Sequence, residues 1–183
     1  MPEFSECVWE KCPGFVEEER KYSVDAKNSR IATMIGDCNF CTIIGNTPLP
    51  LNKVTSWSIK VLETRDNDGR DIRVGIAPSD IDQNEEYLPS KGWYFDCLKS
   101  SLFSGPPHNY MWPGKDYGPR KGEGQYVHTG DSVGVVMDTT KGELSFVVNG
   151  MNLGVAYEGI PLDKPLVPCV LLFCEGDSVE LLI

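Results

Sequence analysis

The 183-residue sequence predicts an all-β domain, a sandwich or a barrel, on three observations. Short β-rich runs follow one another: "RIATMI", "FCTIIGN", "SWSIKVLE", "IRVGIA", "GWYFDC", "YVHTGDSVGVVMD", "ELSFVVN", "LGVAY", "LVPCVLLF" and "SVELLI". Turn chemistry separates them, including "DNDG", "TTKG" and "VNGM". No long apolar stripe with a period of 3.6 residues intervenes, so helix has little place in the core.

Taken in order, residues 1–21 are charged and weakly periodic and are expected as an irregular or helical N-terminal extension. The domain proper is expected over residues 22–183, its first strand starting at Tyr22. Between Ser100 and Gly124 the chain is dense in Pro and Gly and reads as one long ordered connection, with Tyr110, Trp112 and Tyr117 to pack it. The stretch from Gly130 to Tyr157, "GDSVGVVMDTTKGELSFVVNGMNLGVAY", reads as three strands and two tight turns. Val133, Val135 and Met137 share one face, as do Leu144, Phe146 and Val148, and Leu153, Val155 and Tyr157. Asn149-Gly150 supplies the two positive φ angles a type I′ hairpin needs, and Lys141-Gly142 ends the other connection. A slip of one residue would turn Phe146 to water and Ser145 inward, so the register is well specified.

Charge and cysteine usage narrow the function classes. A formal net charge of −10 argues against nucleic acid as a partner, since binding phosphates relies on clustered Lys and Arg. No apolar run is long enough to span a bilayer, and "MPEFSECVWEKCPGF" has neither the basic start nor the apolar centre of a secretory signal. Seven cysteines, an odd number, suit reduced thiols, and the expected location is cytoplasmic.

Catalysis lacks candidates: His108 and His128 lie in no nucleophile, metal or phosphate-binding motif, and no carboxylate pair is marked by spacing. No cofactor is called for. Cys38-x-x-Cys41 raises zinc or thiol chemistry, but Cys7/Cys12 and Cys169/Cys174 are too widely spaced for a second zinc knuckle. The pair reads more simply as two thiols flanking a turn. Trp57 and Trp93 lie in strands and read as core, Trp112 as the tryptophan with access to solvent, and Asp131 and Asp138 as turn acceptors.

The strand series resembles the SPRY family. The match is carried by "SWSIKV", "IRVGIAPSD", "GWYFDC", Tyr117-Gly118 and above all "GDSVGVVMDTTKGELSFVVNGMNLGVAYEGI" followed by "LVPCVLLF", in the family's order over roughly residues 22 to 183. The resemblance implies a two-sheet antiparallel β-sandwich that binds a short peptide or a protein surface through loops at one edge, as in many ubiquitin-ligase adaptors and signalling proteins. Function is less narrowly implied than fold, since one fold hosts many sites.

Carried over by position, the family's peptide-contacting Tyr before the "GW" strand falls at Tyr87, and the loop after "VPCVLLF" nominates Phe173 and Cys174, where relatives often have Trp. A third loop, "GDCNFC", nominates Asn39 and Phe40; Leu171 and Leu172 read as sandwich core. Asp80, Asp82, Glu85 and Glu86 would favour a basic partner or simply solubilise the loop. The expectation is therefore a monomeric, non-catalytic module with a protein or peptide ligand and neither nucleic acid nor membrane as partner. A lectin-like sandwich that stacks sugar on the aromatics of "NYMWPGKDYG" is the alternative, and a zinc or thiol protein at Cys38 and Cys41 the third reading.

Overall fold

The computed structural model describes residues 3–12, 21–36, 40–65, 72–83, 91–119 and 126–183. After a short 3-10 turn at Phe4–Glu6, the chain runs through β1 (Tyr22–Val24), β2 (Ile31–Met34), β3 (Cys41–Ile44), β4 (Val54–Glu63), β5 (Arg73–Pro78), β6 (Trp93–Asp96) and β7 (Ser101–Ser104). It continues through β8 (Lys115–Asp116), β9 (Ser132–Asp138), β10 (Glu143–Val148), β11 (Met151–Tyr157), β12 (Leu166–Leu172) and β13 (Ser178–Leu182). All pairings are antiparallel. One sheet has seven strands in the order β1-β2-β13-β4-β9-β10-β11, the other six in the order β3-β12-β5-β6-β7-β8. The two pack as a sandwich, the fold class the sequence resemblance implies.

The core lies where the two inner faces meet. Trp57, Ile59 and Val61 of β4, Val133, Val135 and Met137 of β9, and Leu144 and Phe146 of β10 face Val74 and Ile76 of β5, Trp93 and Phe95 of β6, and Val170 and Leu172 of β12. Each such side chain, removed from water, contributes about 1.5–3 kcal/mol before the entropy of ordering it is subtracted. Phe146 and Phe95 meet across the gap with ring centroids 5.4 Å apart. Tyr157 of β11 also reaches across, its hydroxyl 2.7 Å from the Tyr94 carbonyl. The N-terminal residues join this core: Cys7 and Trp9 are buried in it, and Trp9 bridges to Gly45 just beyond β3.

Two details depart from the sequence reading. The segment from Ser100 to Gly124 is not one connection, because β7 and β8 are cut from it and extend the six-stranded sheet beyond β6. In the meander, Asn149 and Gly150 do take φ 47° and 84° as the hairpin requires. On β11, however, register shifts opposite Leu144, Ser145 and Val147 break the alternation. Val155 therefore faces water while Ala156 and Tyr157 are buried, which a bulge explains and a regular strand would not.

Candidate functional site

Along β3, β12, β6 and β7 the outer face of the six-stranded sheet is as buried as its inner face. Register places Val167, Cys169 and Leu171 of β12 beside Ala77, Gly75 and Arg73 of β5, and these beside Tyr94 and Asp96 of β6. Ile44, Ala77, Tyr94, Val167, Cys169 and Leu171 form a second apolar cluster there, with Phe40 and Ile81 against it. Leu172 lies in the core between the sheets as expected, whereas Leu171 is buried on the opposite face.

An ion pair lies within this layer. Arg73 Nε donates to Asp96 Oδ2 at 3.0 Å, with both side chains buried. The other carboxylate oxygen accepts the backbone N–H groups of Leu98 and Lys99 at 3.1 Å, so Asp96 also holds the turn that follows β6. The guanidinium is stacked between two rings, 3.7 Å from the Phe103 centroid and 4.6 Å from that of Phe40. Phe40 in turn meets Phe173 edge-on at 4.9 Å. A cation between two aromatic faces is a favourable arrangement. Yet Arg73 Nη1 is buried without a hydrogen-bond partner, and a buried unsatisfied donor costs about 1–3 kcal/mol. An acceptor delivered from outside would relieve that cost.

Burial also sets the protonation of the neighbours. It pushes the Cys169 thiol up to about 12 and the Tyr94 hydroxyl well above its ordinary value, so both are neutral at physiological pH. The two touch at 3.6 Å as a weak hydrogen bond between uncharged groups. Neither has the thiolate or phenolate character that nucleophilic chemistry needs.

Of the residues nominated by sequence, Phe40 is half-buried, while Phe173 and Cys174 are each only 4 % exposed. The backbone N–H groups of Phe173 and Cys174 donate to Asp177 Oδ2 at 3.2 and 2.8 Å, which fixes the turn between β12 and β13. Tyr87, Asn39, Cys38, Glu85 and Glu86 lie outside the described residues. Asp80 is exposed and pairs with Lys164 at 2.8 Å, which lowers its carboxyl below the usual range. Cys41 points into the core from β3, and among the described residues no three metal-ligating side chains come together. Sequence reasoning missed Arg73, Asp96 and Phe103. The available signal was one Arg and one Asp embedded in the apolar runs "IRVGIA" and "GWYFDC", a pattern that fits a buried ion pair.

The aromatics of "NYMWPGKDYG" have separate fates. Tyr110 stacks on Tyr157, and the Tyr117 hydroxyl donates to the Gly154 carbonyl at 2.6 Å, whereas Trp112 is 62 % exposed. Of these three aromatics only Trp112 is largely exposed.

The sequence profile of the SPRY domain matches residues 54–183. The chain belongs to the SPRY family. Among solved structures, the SPRY domain of human HERC1 superposes with a TM-score of 0.65 at 19 % identity, covering 91 % of this chain and 96 % of that one. A human SPRY domain gives a TM-score of 0.66 at 16 % identity, covering 88 % of this chain and 96 % of its own. At these identities the likeness speaks to fold alone. SPRY domains are in general protein-interaction modules without catalytic activity. Among the described residues no helix is long and apolar enough to cross a membrane.

Proposed function

We propose that this SPRY domain binds a short extended segment of another protein at the Phe40 end of the six-stranded sheet, as the recognition part of a ubiquitin-ligase-type or signalling adaptor. Arg73 carries the reading. It is a buried guanidinium with one donor unused, stacked under the half-buried Phe40, which in turn meets Phe173, both of them residues that sequence nominates. A ligand that displaces Phe40 offers a carbonyl or carboxylate oxygen to Nη1, and its apolar side chain packs where Phe40 met Phe173. Phe173 and Cys174 form the floor of this site, and Asn39 and Tyr87 are assigned to the same ligand by the sequence resemblance. The module works without a cofactor, as a monomer, on a protein ligand rather than nucleic acid or membrane. The free thiols of Cys7 and Cys169 suit a reducing compartment, which supports a cytoplasmic location.

The test is selection of peptides from a displayed random library on the intact protein, followed by affinity measurement. Peptides chosen by the wild type should bind a Tyr87→Ala variant at least about tenfold more weakly, with an unchanged melting temperature. Equal affinity would move the site elsewhere.

A further inference from the structure

The loop between β7 and β8 presents a different surface at the far end of the six-stranded sheet. Its exposed residues are not those of the Phe40 site, although Gly114 of this loop packs on the Phe103 ring, which the Arg73 guanidinium separates from Phe40. It is held firmly. Ser104 N donates to the Tyr110 carbonyl at 3.0 Å, Gly114 N to the Met111 carbonyl at 2.7 Å, and Ser100 Oγ to the Tyr117 carbonyl at 2.7 Å. Gly114, with φ 88°, passes so close to Phe103 that a Cβ there would lie 2.9 Å from the ring. The result is a preformed display of Met111 and Trp112, which are 43 % and 62 % exposed.

The charge around this display opposes that of the chain. Lys99 Nζ lies 4.3 Å over the Trp112 ring, and Lys115 Nζ lies 4.9 Å over the Tyr110 ring and donates to its hydroxyl at 3.1 Å. Among the described residues neither ammonium has a carboxylate within ion-pairing distance, although the chain carries 27 Asp and Glu against 17 Lys and Arg. Two lysines rest on aromatic rings beside an exposed tryptophan, in a molecule with a surplus of carboxylates. Exposed lysines on rings gain little, and a carboxylate brought to them would be desolvated against Trp112 and strengthened.

We infer that Met111, Trp112, Lys99 and Lys115 form a second docking surface, for an acidic protein segment in which Asp or Glu residues flank one apolar side chain. The apolar side chain packs on Met111 and the free edge of Trp112 while the flanking carboxylates take the two ammoniums. A single exposed ring with a cation on one face is a poor sugar platform but a good anchor for such a segment.

The experiment uses the whole protein and three nine-residue peptide pools: Asp/Glu flanks around a central Leu or Phe, Lys/Arg flanks around the same centre, and Asp/Glu flanks around Ser. Trp9, Trp57 and Trp93 are buried, so acrylamide quenching of tryptophan fluorescence reports on Trp112. The acidic apolar pool should protect Trp112, bind more weakly as NaCl is raised, and lose at least about tenfold in affinity in Trp112→Ala. Lys99→Glu/Lys115→Glu, which keeps its fold because both side chains are exposed, should invert the preference toward the basic pool. Tyr87→Ala, the variant expected to disable the first site, should leave all of this unchanged. The inference is overturned if the acidic apolar pool binds no better than either other pool, if charge reversal does not change the preference, or if Tyr87→Ala abolishes binding too. Protection of Trp112 by maltoheptaose where the acidic pool gives none would assign the loop to a carbohydrate instead.

Discussion

The two sheets of the sandwich handle water differently. Along β4, β9 and β10 of the seven-stranded sheet, buried side chains alternate with exposed or half-buried ones, so one face is solvated. In the six-stranded sheet β3, β6, β7 and β12 are buried at every position, and a second apolar layer covers the outer face. Polar groups on the two outer faces therefore answer to different rules. Those on the seven-stranded sheet can turn to water, whereas Arg73 and Asp96 have only each other and the surrounding amides and rings.

The largest expected effect follows from that contrast. Asp96→Ala leaves the Arg73 guanidinium buried without its carboxylate and removes the acceptor of the Leu98 and Lys99 amides, a loss of about 3–5 kcal/mol. Glu143→Ala, on β10 beside the exposed Lys141 at 3.9 Å, should cost no more than about 0.5 kcal/mol. Urea denaturation at neutral pH compares them. Equal small losses would mean that water reaches the outer layer and that the contrast between the sheets is superficial.

A subtler version uses apolar side chains alone. Leu171 of β12 and Val136 of β9 both point away from the inter-sheet core, yet Leu171 is fully buried and Val136 only half-buried. Leu171→Ala should cost about 2–5 kcal/mol by leaving a cavity in the outer layer. Val136→Ala should stay within about 1 kcal/mol, since water already meets part of the side chain. Similar values in thermal melts would remove the second apolar layer from the account.

The same contrast explains what was legible in the sequence. A strand with one wet face writes its orientation into the chain as alternation, so Val133, Val135, Met137, Leu144 and Phe146 could be assigned to the core by counting. β11 escaped because its bulges displace Val155 from the face that counting gives it. A strand buried on both sides carries no such mark, so "LVPCVLLF" announces a strand but not that Leu172 and Leu171 serve different layers. β7 and β8 were hidden by brevity, four and two residues inside a Pro- and Gly-rich stretch. The Arg73–Asp96 pair joins residues 23 apart in sequence, and Trp9 meets Gly45 farther away still, so neither contact has a local signature.

The smallest effect tests where the chain passes between the two sheets. Asp177 lies in the turn from β12 to β13, accepting from the amides of Phe173 and Cys174 on one oxygen and from Arg65 N, just past β4, at 2.9 Å on the other. Burial opposes these bonds and prevails, raising the carboxyl above its ordinary value of 3.8. With the folded value above the unfolded one, the native state holds its proton longer. The stability Asp177 contributes is therefore fully present below about pH 3.8 and declines as pH rises through the folded value. Asp177→Asn cannot titrate, so the stability difference between wild type and variant isolates this group from the other carboxylates. That difference should shrink with rising pH in the acid range, by at most about 1.4 kcal/mol per pH unit, as read from urea midpoints. A difference that grows with pH would mean that three amides outweigh burial, and the turn joining the sheets would then follow the solvated sheet's rules rather than those of the buried one.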